Sequence, residues 1–412
     1  MGIGELTNFQ TLTNFVVSQD NGRKIREMEN LSNLKGGLVI SELQNVVKAQ
    51  DAWVAGLCYK SNLRDLALEW SYNFAGEEIH KDILDSLQPP KMLERLTIEC
   101  YGGETFPNWF GDPSFGKLSI LDLYYCPNCT LLPAVGRLTS LKSLSIRRMS
   151  KVKKVGANIF GKDLSINAFP SLERLRFQDM PEWEEWDPCE VDENVRSFQH
   201  LHELIISNCP KLLGSLPNRL PSLKKLKINL CQQLRSLPSC LPSLERLVIQ
   251  ECEKLVVSLS SLPKLSDLEI NGCQEVSSTS CANSGSFIER VSLSDISKFT
   301  SPMEGMMLGL IKAERAEDGK EEHMQLGIPC HIEHLSIHCC ERLERLAESL
   351  HSYRSLTVLG IEGCPRLISI SNGNLPPNVR RLTIKECENL QYLLDGVNNN
   401  INSTPLSRAL GD

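Results

Sequence analysis

The sequence lacks any run of eighteen or more apolar residues, and this absence argues against a helix that crosses a membrane. The opening residues, MGIGELTNFQ, also lack the basic region and the apolar stretch of a secretory signal peptide. Positive charge is not in excess, because 44 lysines and arginines stand against 51 acidic residues. The resulting net charge of −7 argues against general nucleic-acid binding.

Catalytic signatures are missing as well, so we predict that the chain is not an enzyme. No serine, histidine and aspartate set and no carboxylate pair has the spacing of an active site. Gly111–Lys117 reads GDPSFGK and resembles the start of a phosphate-binding loop. However, Leu118 stands where Ser or Thr would bind magnesium, and it opens a predicted strand instead of a helix. We therefore expect no nucleotide there and no cofactor elsewhere.

Two groups of potential metal or redox ligands also fail on spacing. Cys126 and Cys129 form a C-x-x-C, but no helix start is predicted there to lower a thiol pKa. His334 and His338 lie four residues apart on one predicted strand. At about 3.3 Å per residue their α-carbons would be roughly 13 Å apart, too far for both to bind one zinc ion. We therefore predict no metal site.

What the sequence does contain is a repeat. An apolar residue, two variable residues, a second apolar residue, one variable residue and a third apolar residue recur, often followed two residues later by Cys. LHELIISNC, LKKLKINLC and LERLVIQEC are clear copies, and their spacing of 21 to 23 residues falls in the leucine-rich-repeat range. The thirteen copies start at Leu63, Leu93, Leu118, Leu141, Leu172, Leu201, Leu223, Leu244, Leu265, Ile288, Ile332, Leu356 and Val379.

The pattern predicts an α/β repeat solenoid, a leucine-rich-repeat horseshoe with one parallel β-sheet on its concave side. The second and third apolar residues of each copy share one face of a short strand, and the residues between them face outward. Leu-Pro pairs such as Leu132–Pro133 and Leu216–Pro217 follow many strands. Since proline disfavours helix, we expect mostly irregular or 3-10 returns on the convex side.

The copies divide the chain into three parts. Residues 1–62 hold irregular repeats, including a partial copy around Leu38–Ile40–Leu43, and would join the array to an upstream domain. Residues 63–394 form the solenoid, with insertions near 180–196 and 294–330. Residues 395–412, rich in Asn and Ser, are expected to be a flexible tail.

Half of the sixteen cysteines follow from the repeat. They stand at its ninth position, which turns inward after the strand, and a free thiol is small and readily buried. We predict that these eight are buried, unpaired and metal-free, which suits a reducing compartment. They are Cys126, Cys209, Cys231, Cys252, Cys273, Cys340, Cys364 and Cys387.

Several longer phrases carry a resemblance to a known family. LTNFQTLTNFVV, KSNLRDLALEW, FPNWFGDPSFGKLSILDLYYC, FPSLERLRFQDMPEWEEW and CPKLLGSLPNRLPSLKKLKI occur in this order. From about Ile3 to about Leu394 the chain resembles the C-terminal leucine-rich-repeat region of plant coiled-coil nucleotide-binding disease-resistance proteins. The motifs of the nucleotide-binding domain are not in this sequence.

The resemblance implies a cytoplasmic or nucleocytoplasmic module of an intracellular immune receptor. Such a module would bind a pathogen effector or a guarded host protein, and would hold the receptor's nucleotide-binding domain in check. Two alternatives remain open on the residues alone. A substrate-recruiting subunit of a ubiquitin ligase would need an F-box-like segment before the repeats, and an extracellular receptor would need a secretion signal and capping cysteines.

Outward strand positions give the candidate binding residues. These positions are acidic in early copies, basic in middle copies and acidic again at Asp267 and Glu269. We name the basic set the basic stripe and expect it to meet an acidic partner, or the acidic residues Glu184–Glu185 folded back onto it. The basic stripe consists of Arg147, Arg174, Arg176, Lys225, Lys227 and Arg246. Trp183 and Trp186, in the acidic insertion, are read either as a contact loop or as core anchors.

Overall fold

A computed structural model of the chain describes thirteen stretches and falls into two compact units, Met1–Leu223 and Lys224–Asp412. The described residues are 5, 7–19, 23–72, 79–161, 168–187, 197–213, 216–258, 262–277, 288–294, 332–340, 350, 353–371 and 375–394. The predicted insertion at 294–330 and the predicted tail at 395–412 lie almost wholly or wholly outside them.

Within these stretches the first unit contains ten strands. Eight of them, all but β7 and β9, form a parallel sheet in chain order, and β7 pairs with β9 in a small second sheet. The strands are β1 (Asn14–Val16), β2 (Gly36–Ser41), β3 (Leu63–Glu69), β4 (Arg95–Glu99), β5 (Ile120–Tyr124), β6 (Ser143–Arg147), β7 (Lys154–Val155), β8 (Arg174–Gln178), β9 (Glu185–Trp186) and β10 (Glu203–Ser207).

The described part of the second unit contains nine strands. Seven of them pair in parallel and in chain order, and β17 pairs with β19 in a small separate sheet. The strands are β11 (Lys225–Asn229), β12 (Arg246–Ser258), β13 (Asp267–Ser277), β14 (Arg290–Ser294), β15 (His334–His338), β16 (Val358–Glu362), β17 (Ser369–Ser371), β18 (Arg381–Lys385) and β19 (Tyr392–Leu394).

The described returns between strands are short. The α-helices are α1 (Ala49–Val54), α2 (Ile79–Ser86) and α3 (Ala157–Phe160). The 3-10 helices are Ile25–Asn30, Leu43–Asn45, Leu57–Tyr59, Asn108–Gly111 and Val135–Arg137. Parallel strands, one per repeat, with irregular or 3-10 returns confirm the leucine-rich-repeat fold.

Burial follows the repeat residue by residue. In β3, Leu66 and Leu68 are buried while Asp65 is exposed, and β4, β5 and β6 repeat this alternation. All thirteen predicted copies contain a strand. The sheet of the first unit also includes β1 and β2, which the motif missed because their apolar residues do not keep the full repeat spacing.

A left-handed turn closes each regular strand. The residue after the strand has a positive φ, as at Tyr125 (52°), Arg148 (57°) and Asn208 (54°), and glycine takes this place at Gly363 (65°). The backbone N–H of Tyr125 donates to the carbonyl of Arg147 on the next strand at 2.9 Å. The turn directs the next side chain inward, which is why the ninth repeat position can hold a buried Cys.

Ninth-position thiols are buried where their side chains are described, with one exception. Cys126, Cys209, Cys231, Cys252, Cys340 and Cys364 are buried. The predicted burial is wrong for Cys387, which is only half-buried because its strand β18 is more exposed than the others. The side chain of Cys273 lies outside the described residues.

Candidate functional site

The exposed face of the first unit's sheet is built by alternation, since every outward strand position projects a side chain away from the core. Across β3, β4, β5, β6 and β8 the last strand position carries Glu69, Glu99, Tyr124, Arg147 and Gln178, in register from strand to strand. This row changes from acidic through aromatic to basic within five neighbouring strands.

At the acidic end of the row two carboxylates lie side by side. Glu69 and Glu99 are register partners on β3 and β4, and both are half-buried. Burial, and secondarily the charge of Glu99, raise the pKa of Glu69 above its usual value. Tyr72, after β3, donates its phenol hydrogen to Glu99 Oε1 at 2.6 Å. That hydrogen bond is the main reason why the pKa of Tyr72 is raised.

Aromatic rings and guanidinium groups lie beside these two carboxylates on the same sheet face. The ring of Tyr72 lies 5.2 Å from that of Tyr125 and 6.5 Å from that of Tyr124. The guanidinium carbons of Arg147 and Arg148 lie 4.8 Å and 5.5 Å from the Tyr124 ring centre, within cation–π range. We call Glu69, Tyr72, Glu99, Tyr124, Tyr125, Arg147 and Arg148 the tyrosine patch. Tyrosine and arginine are enriched among residues that contribute most to protein binding.

Arg147 and Tyr72 of the tyrosine patch differ in the exposure of their side-chain groups. The Nε of Arg147 is buried, and among the described residues it has no hydrogen-bond partner. Tyr72 is 51% exposed, so its ring is available to an incoming surface. The patch thus combines a negative edge, apolar ring faces and a positive edge, which suits a protein surface of mixed charge.

The other basic-stripe residues of the first unit lie on β8. Arg174 and Arg176 are both exposed. Arg174 is the register partner of Glu203 on β10, and Arg176 donates to Gln178 Oε1 at 2.6 Å. The structure therefore places Arg147, Arg174 and Arg176 on one sheet face, but Arg147 is drawn toward Tyr124 and away from the other two.

Three basic-stripe residues lie in the second unit. Lys225 and Lys227 are exposed on β11, and Arg246 on β12 is the register partner of Lys225. Arg246 forms ion pairs with Asp267 at 3.3 Å and Glu269 at 3.9 Å. Its charge is therefore offset within the chain, and the acidic partner expected for the basic stripe stays a prediction. Among the described residues no ion pair involves Lys225 or Lys227.

Trp183 and Trp186 were read as either a contact loop or core anchors, and the contact-loop reading is wrong. Trp183 is 0% and Trp186 3% exposed. Both rings pack against Phe177, at 4.8 Å and 5.2 Å between centroids, and Trp183 Nε1 donates to the carbonyl of Glu185 at 2.9 Å. The tryptophans bury apolar area under β8, so their rings are unavailable to a partner.

The acidic residues beside these tryptophans do not fold back onto the basic stripe. Glu185 belongs to β9, whose neighbour is β7, and its carboxylate pairs with Lys154 Nζ at 2.5 Å. The backbone N–H of Glu184 donates to the carbonyl of Lys153. Pairing with β7 therefore fixes this segment in the small second sheet, and the fold-back expectation is corrected.

The three motifs that resemble nucleotide, redox or metal sites belong to the repeat structure. After Asn108–Gly111, the GDPSFGK segment leads into strand β5, so the helix that a phosphate-binding loop requires does not follow it. Cys129 is fully buried and its Sγ donates to the carbonyl of Gly103 at 3.1 Å. Burial raises the pKa of Cys129 well above its usual value, the opposite of a reactive C-x-x-C thiol. His334 and His338 begin and end β15, as the spacing predicted.

Sequence reasoning missed three residues of the tyrosine patch. Tyr72, Tyr125 and Arg148 lie just past the ends of strands, at positions that the strand motif does not include. The signal that could have located Tyr125 and Arg148 is the eighth repeat position, which precedes the inward-turning ninth. Tyr72 lies outside the nine-residue repeat motif, and its hydrogen bond to Glu99 is what places it in the tyrosine patch.

Part of the chain is similar in sequence to known proteins. Residues 25–149 match the family model described as R13L1/DRL21 leucine-rich repeats. A putative disease resistance protein of Arabidopsis thaliana is 39% identical over 54% of this chain and 16% of its own length. This part of the chain is similar to the leucine-rich repeats of plant disease resistance proteins.

The chain is also similar to a second plant relative and to one solved structure. The putative disease resistance RPP13-like protein 1 of Arabidopsis thaliana is 36% identical over 53% of this chain and 22% of its own length. A leucine-rich-repeat protein of Leptospira interrogans has a TM-score of 0.45 and 17% identity, covering 90% of this chain and 86% of that one. The chain spans about a fifth of the length of its disease-resistance relatives. Among the described helices none is long and apolar enough to cross a membrane.

Proposed function

We propose that this chain is the recognition and autoinhibition module of a plant intracellular immune receptor. In this role it binds a pathogen effector or a guarded host protein, and holds the receptor's nucleotide-binding domain in check without catalysing a reaction. It acts in the cytoplasm or nucleocytoplasm. Similarity to disease-resistance proteins over half of the chain is the observation that carries this proposal.

The exposed sheet faces are the surfaces we propose for partner contact. In the first unit the tyrosine patch offers aromatic and charged groups on rigid strands, and rigid aromatic anchors lose little conformational entropy on binding. In the second unit Lys225 and Lys227 present positive charge that no described side chain pairs. Unpaired surface charge of this kind speeds association with an acidic partner and selects against a basic one.

Two double variants of the full chain test the second-unit contact. Lys225→Glu with Lys227→Glu reverses two charges on the exposed face of β11. Lys117→Glu with Lys264→Glu, the matched control, reverses two exposed lysines that precede strands. Both chains should keep the circular dichroism spectrum of the wild type, because all four lysines are exposed.

Binding is measured by affinity capture from plant extract, followed by direct titration of the purified proteins that were captured. We expect the control to bind as the wild type does and the β11 variant to bind at least about tenfold more weakly, as for loss of two charge contacts. Equal binding by all three chains would show that Lys225 and Lys227 form only a solvated face. The double variant Tyr72→Ala with Arg148→Ala, measured in the same binding assay, examines the tyrosine patch.

A further inference from the structure

Three ninth-position cysteines of the second unit follow three neighbouring strands of the sheet. His338, Glu362 and Lys385 are register partners on β15, β16 and β18, and each precedes a cysteine by two residues. Cys340, Cys364 and Cys387 thus occupy equivalent positions in the turns that follow these three neighbouring strands. The Sγ atoms of Cys364 and Cys387 donate to the carbonyls of Glu362 at 3.6 Å and Lys385 at 3.3 Å.

The three thiols also interact with one another. Side-chain hydrogen bonds from Cys340 and Cys387 favour the thiolate form of Cys364. The hydrogen bond from Cys340 is the largest cause and outweighs burial, so the pKa of Cys364 falls to about 7. Burial raises the pKa of Cys387 above its usual value. Of Cys364 and Cys387, Cys364 is therefore the thiol that ionises more readily.

Access to solvent distinguishes this pair from another ninth-position pair. Cys231, two residues after β11, and Cys252, on the neighbouring strand β12, are both fully buried. The hydrogen bond with Cys231, together with burial, raises the pKa of Cys252. By contrast, Cys387 is half-buried, so its pair with the buried Cys364 borders on solvent. Two pairs at the same repeat position thus differ in exposure and in protonation.

We propose that Cys364 and Cys387 form a peroxide-sensitive thiol pair that oxidises to a disulfide between adjacent repeats. Register partners on parallel strands lie about 4.8 Å apart, and a disulfide spans α-carbon distances of roughly 4.4–6.8 Å. Cys364 and Cys387 each follow the register pair Glu362–Lys385 by two residues, so we expect their α-carbon distance to fall in this range, and the bond joins the repeat of β18 to that of β16.

The reaction proceeds in two balanced steps. The Cys364 thiolate attacks one oxygen of hydrogen peroxide, the O–O bond breaks, and the departing hydroxide takes a proton to become water. Cys364 is then a sulfenic acid. The Cys387 sulfur loses its proton and attacks Cys364 Sγ, the S–O bond breaks, and the hydroxyl leaves with that proton as a second water. Two thiols are oxidised to one disulfide, and one peroxide is reduced to two waters.

The test treats the reduced full chain with hydrogen peroxide at pH 7, quenches it with acid and maps peptic peptides by mass spectrometry. We expect the disulfide-linked peptides of Cys364 and Cys387 to accumulate at least about tenfold faster than those of Cys231 and Cys252. The fully buried pair is the matched internal control, because it shares the repeat position and the strand pairing.

A variant of the half-buried thiol separates the two steps. Cys387→Ser keeps a small polar side chain, and we expect it to fold normally and to leave Cys364 as a sulfenic acid that dimedone traps. Three results would each overturn the proposal: Cys364 still reduced when the exposed Cys58 and Cys240 are fully oxidised, a disulfide from Cys364 to Cys340 instead, or no dimedone adduct on Cys364 in the variant.

Discussion

Lys60 is a buried lysine that stabilises the core by hydrogen bonds to the backbone, although lysine is usually an exposed residue. Its side chain is 2% exposed, and its Nζ donates to the carbonyls of Met28 at 2.7 Å and Leu31 at 3.2 Å. These carbonyls lie at the end of the 3-10 helix Ile25–Asn30, so the lysine satisfies backbone groups that the helix leaves open. A neutral amine has two N–H groups and can still make both hydrogen bonds.

The first prediction concerns the pH dependence that Lys60 introduces. Burial lowers the pKa of Lys60 from its usual 10.5 to about 8, against the smaller opposing effects of Cys58 and Glu29. Between pH 8 and pH 10.5 the unfolded chain therefore binds more protons than the folded chain, and stability must rise with pH. Below pH 8 the lysine is charged in both states and contributes no slope.

Lys60→Met should remove this dependence. We expect the free energy of unfolding of the wild type, relative to the variant, to rise by on the order of 2 kcal/mol between pH 8 and pH 10. Urea unfolding of both chains at each pH measures the difference, and the comparison cancels the other titrating groups. A wild-type advantage that stays constant or falls over this range would contradict the assignment.

At the scale of elements, the sequence predicted the repeat strands and the mostly irregular or 3-10 returns, but not the short strands β7 and β9 within those returns. Each L-x-x-L-x-L copy contains a strand because its second and third apolar residues, two positions apart, share one face of an extended chain. The β7–β9 pair, by contrast, rests on Val155 and Trp186 meeting across thirty residues. Nothing local to either segment encodes such a contact, and the acidic residues around Trp186 suggested an exposed loop instead.

The second prediction separates the two tryptophans of this return. Both are buried beside Phe177, but Trp183 Nε1 donates to the carbonyl of Glu185, whereas Trp186 Nε1 is buried with no hydrogen-bond partner among the described residues. Trp183→Phe loses the hydrogen bond to the Glu185 carbonyl, while Trp186→Phe removes a buried donor that has no partner among the described residues. We expect Trp183→Phe to cost about 1–2 kcal/mol more than Trp186→Phe.

Thermal and urea unfolding of the two variants measure that difference, and the volume lost is the same in both. Glu184→Ala, which changes a half-buried acidic neighbour, should leave stability within about 0.5 kcal/mol of the wild type. A larger loss for Trp186→Phe than for Trp183→Phe would mean that packing, and not the hydrogen bond, determines the stability of this return.

The candidate site was harder to predict than the fold. Alternation correctly placed Arg174, Arg176, Lys225, Lys227 and Arg246 on exposed sheet positions. It could not show that Arg246 pairs with Asp267 and Glu269, because ion pairs depend on which long side chains reach across strands. The tyrosine patch was missed for a similar reason, since rings from strand ends meet only after the repeats have stacked.

At the scale of the whole molecule, a repeat array is stabilised by contacts between neighbours and not by one central core. Within the first unit, Leu121 on β5 is fully buried, and among the described strands β5 pairs with β4 and β6. Ion pairs along the sheet edge, such as Arg64–Glu94 at 3.4 Å and Lys142–Glu173 at 3.0 Å, also join adjacent repeats. These pairs are exposed and contribute little, about 0–1 kcal/mol each.

The third prediction follows from this arrangement. Leu121→Ala should cost about 2–5 kcal/mol, because it removes buried side-chain volume that a close-packed core refills only in part. Hydrogen exchange followed by mass spectrometry should show that loss of amide protection is concentrated in β4, β5 and β6, with β1 and β10 close to wild type. Ser145→Ala, on the exposed face of β6, serves as the control and should leave protection unchanged. If protection falls equally in every strand of the first unit, that unit unfolds as one cooperative core and the nearest-neighbour description fails for it.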